Sequence, residues 1–211
     1  MQENESLAHN GDARNTISTQ AVLNIRGARV ALGPLRKDLL PLYVRWRNDF
    51  AVQRTFGDVP RPVTSEQRQR WLEEEERAGS AHWFTIYQLD PFRPIGTTDL
   101  FAIDQRYGVA QFGMLIGEAD ARGLGLGTEV VTLMLDYAFT ALGLHNVMLT
   151  VSEYNVAGRR AYERAGFREF GRRREADMIA GRRYDEVYMD CVATDFTSPV
   201  LGDIFTPDMP R

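Results

Sequence analysis

The sequence predicts a single α/β (α+β) domain built on a mixed, mostly antiparallel sheet of about seven strands with helices on both faces. Three observations carry that expectation. Runs of strand length rich in aromatic and β-branched residues recur along the chain. Segments with apolar residues at helical spacing separate them. A glycine-rich turn, Arg122-Gly-Leu-Gly125-Leu-Gly127-Thr128, stands between one apolar run and one of those helices. The 211 residues suit one domain with a sizeable core.

Taken in order, residues 1–20 are polar and aperiodic and read as a flexible arm. A strand is expected at about 22–33. A helix follows at about 37–48, with Leu39, Leu40, Tyr43, Val44 and Trp46 as its apolar positions. The stretch near 56–63 is rich in Pro and Gly and reads as a loop. Thr64-Ser-Glu-Gln67 is a capping box, in which the hydroxyl and the amide satisfy free N–H groups, and it starts a helix to about 78. Strands are expected at about 82–89, 94–104 and 107–117. The glycine turn then opens a helix to about 141, where Leu126, Val130, Leu133, Tyr137 and Ala141 form one apolar stripe. Residues 146–151 form a short buried strand, and a helix at about 156–165 ends at Gly166, a favourable left-handed terminator. Strands at about 167–176 and 183–193 close the domain, assigned to residues 21–194. The tail 195–211 carries Pro199, Pro207 and Pro210 and is expected to be irregular.

Composition narrows the function classes. Net charge is −4, which gives no general electrostatic footprint for nucleic acid. Cys191 is the single cysteine, so an intramolecular disulfide is excluded. The three histidines, at 9, 82 and 145, are scattered, and no Cys/His cluster has metal-ligand spacing, so no metal is expected. No apolar run is long enough to span a bilayer, and the N-terminus lacks the basic and apolar regions of a signal peptide. The cytoplasm is the expected compartment, with no membrane partner.

The glycine turn at 122–128 points several backbone N–H groups and the positive end of a helix dipole at one spot, which is an anion site. A P-loop would require a lysine after its glycines, and the only lysine is Lys37. A dinucleotide fingerprint requires Gly-x-Gly-x-x-Gly, whereas these glycines fall at 123, 125 and 127. Arg122-x-x-Gly125-x-Gly127 instead resembles the Arg/Gln-x-x-Gly-x-Gly/Ala motif of the GNAT superfamily of N-acetyltransferases. Downstream, Asn155-Val-Ala-Gly-Arg-Arg-Ala-Tyr162-Glu-Arg-Ala-Gly166-Phe167 resembles that family's second cofactor segment. The resemblance covers roughly residues 22–194. Its first strand and closing hairpin are similar to those of the RimJ/RimL-type branch.

The resemblance implies acetyl-CoA as acyl donor, with the loop Arg122, Gly123, Leu124, Gly125, Leu126, Gly127 and Thr128 cradling its pyrophosphate. It implies that the strands on either side of the loop helix splay apart to admit the pantetheine arm, with Gly113 and Gly117 as bulge or close-approach positions. Asn155 would contact that arm, or cap its helix, or both, and Arg160 would point to the phosphate end. The reaction is attack of an amine on a thioester. A backbone N–H around Leu115, Ile116 and Gly117 would stabilise the oxyanion, and Tyr162 would act as general acid toward the leaving thiolate.

The general base is less legible. Gln111 stands where many RimJ/RimL-like sequences carry a glutamate, and Thr150 where some protein N-terminus acetyltransferases carry one. Glu118, Glu153 and Asp99 remain candidates, alongside a water chain to solvent. Glu73-Glu-Glu-Glu76 surrounds a helix and reads as a solvated surface. Arg172-Arg-Arg174 splits between strand faces and also reads as solvated, as do Arg159 and Arg164. His82 and His145 receive no role. The acceptor is an amine, either a small molecule (amino sugar, polyamine, amino acid or amine-bearing antibiotic) or a protein N-terminus. Its pocket is expected from about 46–72 and the final hairpin. Folds of this family are often dimers, which makes a homodimer one expectation. Two other readings stay open: a non-catalytic acyl-CoA-binding sensor or partner module, and a longer acyl donor.

Overall fold

A computed structural model describes residues 21–57 and 59–208. The predicted arm, 1–20, and the last residues of the predicted tail lie outside them. One eight-stranded sheet runs through the molecule: β1 (Ile25–Arg26), β2 (Val30–Pro34), β3 (His82–Leu89), β4 (Phe92–Asp104), β5 (Val109–Ile116), β6 (Asn146–Ser152), β7 (Arg168–Ile179) and β8 (Arg182–Val192). Their spatial order is β1-β2-β3-β4-β5-β6-β8-β7, antiparallel everywhere except the parallel pair β5–β6. The eighth strand arises because the expected run 22–33 breaks in two. Residues 27–30 form a tight turn, closed by Gly27 N–H donating to the Val30 carbonyl at 2.9 Å.

The helices are α1 (Leu40–Asn48), preceded by a 3₁₀ turn at Lys37–Leu39, then α2 (Phe50–Gln53), α3 (Ser65–Ala78), α4 (Leu126–Asp136) and α5 (Val156–Ala165). The capping box forms as read. Gln67 N–H donates to the Thr64 hydroxyl at 3.2 Å, and Thr64 N–H donates to the Gln67 amide oxygen at 2.9 Å. Gly166 terminates α5 with φ 114°, the left-handed geometry that a side chain resists. Two details depart from the expected elements. The short α2 occupies part of the first connection, capped by Asp49, whose carboxylate accepts from Ala51 N–H at 2.8 Å. The helix opened by the glycine turn is α-helical only to Asp136 and widens into a π-turn over Tyr137–Ala141.

Two apolar clusters sandwich the sheet. On one face Val130, Leu133 and Met134 of α4 and Tyr162 of α5 pack with Leu100, Phe112, Leu149 and Met189. On the other, Tyr43 and Trp46 of α1 pack with Tyr87 and Leu115. The tail is irregular but tied down. Asp136, fully buried, accepts hydrogen bonds from the Ser198 hydroxyl and from the N–H groups of Val200 and Leu201. No helix among the described residues is long and apolar enough to cross a membrane.

The pairing between β5 and β6 positions the site. It runs through Val109, Ala110 and Gln111 against Asn146, Val147 and Met148, and then stops. Beyond that point β5 stays with β4 and β6 stays with β8, so the sheet opens into a V.

Candidate active site

Two cavities meet at the mouth of the V. The smaller, about 450 Å³, is walled by the glycine turn and the start of α5. The larger, about 1030 Å³, lies under α3 and reaches the last hairpin. Thr55, Phe56, Met114, Leu115, Asn155 and Tyr162 line both, and so form the throat between them.

The smaller cavity has the features of an anion cradle. Gly123 and Gly125 hold φ values of 73° and 78°, conformations that favour glycine, and Gly125 is the N-cap residue of α4. Gly127, Thr128 and Arg160 also line this cavity, as does Arg164, which is solvent-exposed as the sequence reading expected. Arg122 lines it too, but its guanidinium turns back on the end of β5, donating to the carbonyls of Ile116 at 3.0 Å and Gly117 at 3.2 Å. Leu124 and Leu126 do not face the space. Leu126 is buried in the core, and Leu124 is exposed with its carbonyl accepting from Arg29 at 2.9 Å. Arg29 also bonds Glu129 and so braces the turn, a contact across 100 residues that local pattern does not disclose.

Strand alternation sorts the main-chain groups of β5. Gly117 N–H donates to the Ile95 carbonyl at 2.8 Å, so alternate residues Leu115 and Gly113 also bond toward β4. The N–H groups of Met114 and Ile116 therefore face the opening. Within the predicted segment Leu115–Gly117, this singles out Ile116. Gly117 itself lies against Trp46 and lines neither cavity.

Tyr162 is 9% exposed, and its hydroxyl has no hydrogen-bond partner among the described residues. Burial pushes its phenol up to about 12, so it carries its proton throughout the neutral range. Phe112 and Phe167 both meet the ring edge to face, with centroids 6.1 Å away. Asn155 caps α5, accepting from Gly158 N–H at 3.0 Å, and its amide nitrogen donates to the Thr55 carbonyl at 3.5 Å, so it ties α5 to the throat wall.

The two glutamates expected as base candidates stand apart from both cavities. Glu118 accepts from the Trp46 indole N–H at 2.9 Å and pairs with Arg45. Glu153 pairs with Arg172 at 3.0 Å and accepts from Asp185 N–H. Each is committed to a structural contact. Asp99, in contrast, lies mid-strand in β4, buried and lining the larger cavity. Desolvation raises its carboxyl to about 7, reinforced by the Glu75 charge and opposed by Arg68. The sequence signal was an ionisable residue in the middle of a strand, followed directly by Leu100 and Phe101.

Glu75 is a correction to the solvated reading of residues 73–76. It turns inward, lines the cavity and accepts from the Trp83 indole N–H at 3.1 Å. Trp83 meets Trp71 edge-on at 4.8 Å, and the Arg68 guanidinium stacks 3.5 Å above the Trp71 ring. His82 also lines the cavity, 2.9 Å from the Tyr137 hydroxyl. With Asp177 and Glu186 from the hairpin, the walls are aromatic and carry more carboxylates than guanidinium groups. No group of three or more His, Cys, Asp or Glu suited to a metal occurs among the described residues.

Comparison with known proteins agrees with this geometry. The profile of the Acetyltransferase (GNAT) domain matches residues 29–168. The "Probable N-acetyltransferase YjcK" of Bacillus subtilis is 36% identical over 118 residues, covering 54% of this chain and 65% of that protein. The spermidine N(1)-acetyltransferase of Vibrio cholerae is 34% identical over 91 residues, 43% of this chain and 52% of its own. The matched segment thus spans less than two thirds of the length of these relatives. A crystal structure of spermidine N-acetyltransferase from Vibrio cholerae in complex with CoA and spermine superposes with a TM-score of 0.74 at 22% identity, over 80% of this chain and 98% of that one.

Proposed function

The chain belongs to the GNAT acetyltransferase family, and from that premise we propose that it transfers an acetyl group from acetyl-CoA to the primary amine of a small molecule. The observation that carries this reading is the pair of cavities joined at Tyr162. One has a glycine-lined helix entrance and arginines suited to a diphosphate; the other has carboxylates and aromatic rings suited to a cationic amine. Acetyl-CoA fits the first. Bound there, it supplies an activated acyl group at the throat. Ile116 N–H would hold the carbonyl oxygen as charge builds on it, and Tyr162, protonated in the neutral range, would supply a proton to the departing sulfur.

Within the family we place the chain nearer the spermidine acetyltransferases than the RimJ/RimL branch that its terminal strands suggested. The acidic, aromatic acceptor cavity and the named relatives support this. Polyamines are accordingly the first acceptors to test. Assay of thiol release from acetyl-CoA against polyamines, amino sugars, amino acids and a peptide N-terminus decides the matter. Turnover on a polyamine supports the reading, and turnover on the peptide alone moves the acceptor to proteins. Tight acetyl-CoA binding with no turnover on any amine would make the chain an acyl-CoA-binding module.

A further inference from the structure

Asp99 is the charged side chain that the fold does least to explain. It pairs in register with Trp83 on one side and Gly113 on the other, and is 5% exposed. A carboxylate withdrawn from water is ordinarily held by hydrogen bonds or a cation. Among the described residues no hydrogen bond reaches the Asp99 carboxylate, and no cation stands within ion-pair distance of it. Yet room is made for it. A Cβ at position 113 would lie 2.6 Å from Asp99 Oδ1, so only glycine there admits the carboxylate as it stands. Its open side faces the acceptor cavity. Leu115, at the throat, is two residues further along β5, roughly 7 Å at strand rise.

Resting on the acetyltransferase reading, we infer that Asp99 is the general base that removes a proton from the acceptor's ammonium group. The carboxylate takes one N–H proton, which leaves the nitrogen a lone pair. The new N–C bond forms as that pair attacks the thioester carbonyl, and the C–S bond breaks. The Tyr162 hydroxyl protonates the departing thiolate, and the second proton lost by the nitrogen restores the phenol. The proton on Asp99 passes to water through the cavity. This assignment moves the catalytic carboxylate onto β4, one strand over from Gln111, where a glutamate was looked for.

The charged and titratable groups sharing the cavity are Glu75 and Arg68 from α3, Arg47 from α1, His82 from β3, Tyr162 from α5, and Asp177 and Glu186 from the hairpin. Gln111 and Gly113 of β5 carry no charge. Of these groups, Glu75 raises and Arg68 lowers the proton affinity of Asp99.

The test is the pH profile of kcat/KM for the full chain with acetyl-CoA and its best panel amine. The wild type is expected to gain activity as pH rises through a limb near 7, well below the acceptor's own titration. Asp99→Asn is expected to lose roughly 10²–10⁴-fold in kcat and to lose that limb, with acetyl-CoA affinity changed less than twofold. Glu75→Gln, which leaves the carboxylate in place, is expected to move the limb to lower pH, and serves if Asp99→Asn does not fold. Wild-type kcat with the limb intact in Asp99→Asn, or an unmoved limb in Glu75→Gln, overturns the assignment and leaves the acetyltransferase reading standing. A wild type that acetylates no amine overturns both.

Discussion

The Trp46 indole lies so close to the main chain of Gly117 that a methyl group at position 117 would fall among its ring carbons. The same indole donates its N–H to Glu118 at 2.9 Å. One tryptophan therefore fixes the end of β5 and the start of the turn that follows it.

Gly117→Ala should displace that ring and cost about 1–3 kcal/mol, the usual scale for forcing a methyl group into a packed site. Urea unfolding followed by tryptophan fluorescence measures it; an unchanged midpoint would show that the indole gives way freely.

Tyr162→Phe should lower kcat by roughly 10²-fold or more, the scale of lost acid catalysis. The dissociation constant for acetyl-CoA should stay within about twofold, since the hydroxyl bonds nothing in the protein. Because burial holds the phenol at about 12, the wild type should show no loss of activity from this group up to pH 10. Retained turnover in the variant would remove the tyrosine from the mechanism.

Gly125→Asp puts a carboxylate at the proposed diphosphate cradle on a residue with φ 78°. Acetyl-CoA affinity measured by calorimetry should fall at least about tenfold, the equivalent of ~1.4 kcal/mol. Normal affinity would mean that the phosphates lie elsewhere.

Asp99→Asn should make the protein more stable in mild alkali. A carboxyl raised to about 7 in the folded state from 3.8 favours folding while protonated. That contribution is complete below pH 4, declines as pH rises from 4 to 7, and is gone above 7. The asparagine form should exceed the wild type by about 2–4 kcal/mol at pH 8, with the gap closing toward pH 4. Equal stability of the two at pH 8 in chemical denaturation would show that the wild-type carboxylate is well solvated.

Asp136→Ala leaves the Val200 and Leu201 N–H groups and the Ser198 hydroxyl without their acceptor. A loss of about 3 kcal/mol is expected, together with faster proteolysis after residue 195. Intact resistance in limited proteolysis would mean that Leu201 alone anchors the tail.

Local pattern was enough for most of the fold. The capping box at Thr64, the strand 82–89 and the terminator at Gly166 each rest on residues within a few positions of one another, and each formed as read. The glycine turn was legible for the same reason. What sequence could not disclose depends on distant contacts. Arg29 braces Leu124 from 95 residues away, and Glu75 turns inward to meet the indole N–H of Trp83 on another element. Glu118 looked available because its partners, Arg45 and Trp46, sit on a helix 72 residues earlier. Asp99 was visible as an oddity, but its isolation from every partner is a property of the packed sheet.

The abrupt end of contact between β5 and β6 makes the molecule two leaves joined along a three-residue seam. Asp99 rides on one leaf, and Tyr162, on the helix that follows β6, rides on the other. A guest threaded into the gap would brace the leaves by touching main chain, whatever its acyl group. On the proposed reading, selectivity for that group would rest with the side chains of the throat, Thr55, Phe56, Met114 and Leu115 among them, while the guest's arm would serve as the missing slat between the two leaves.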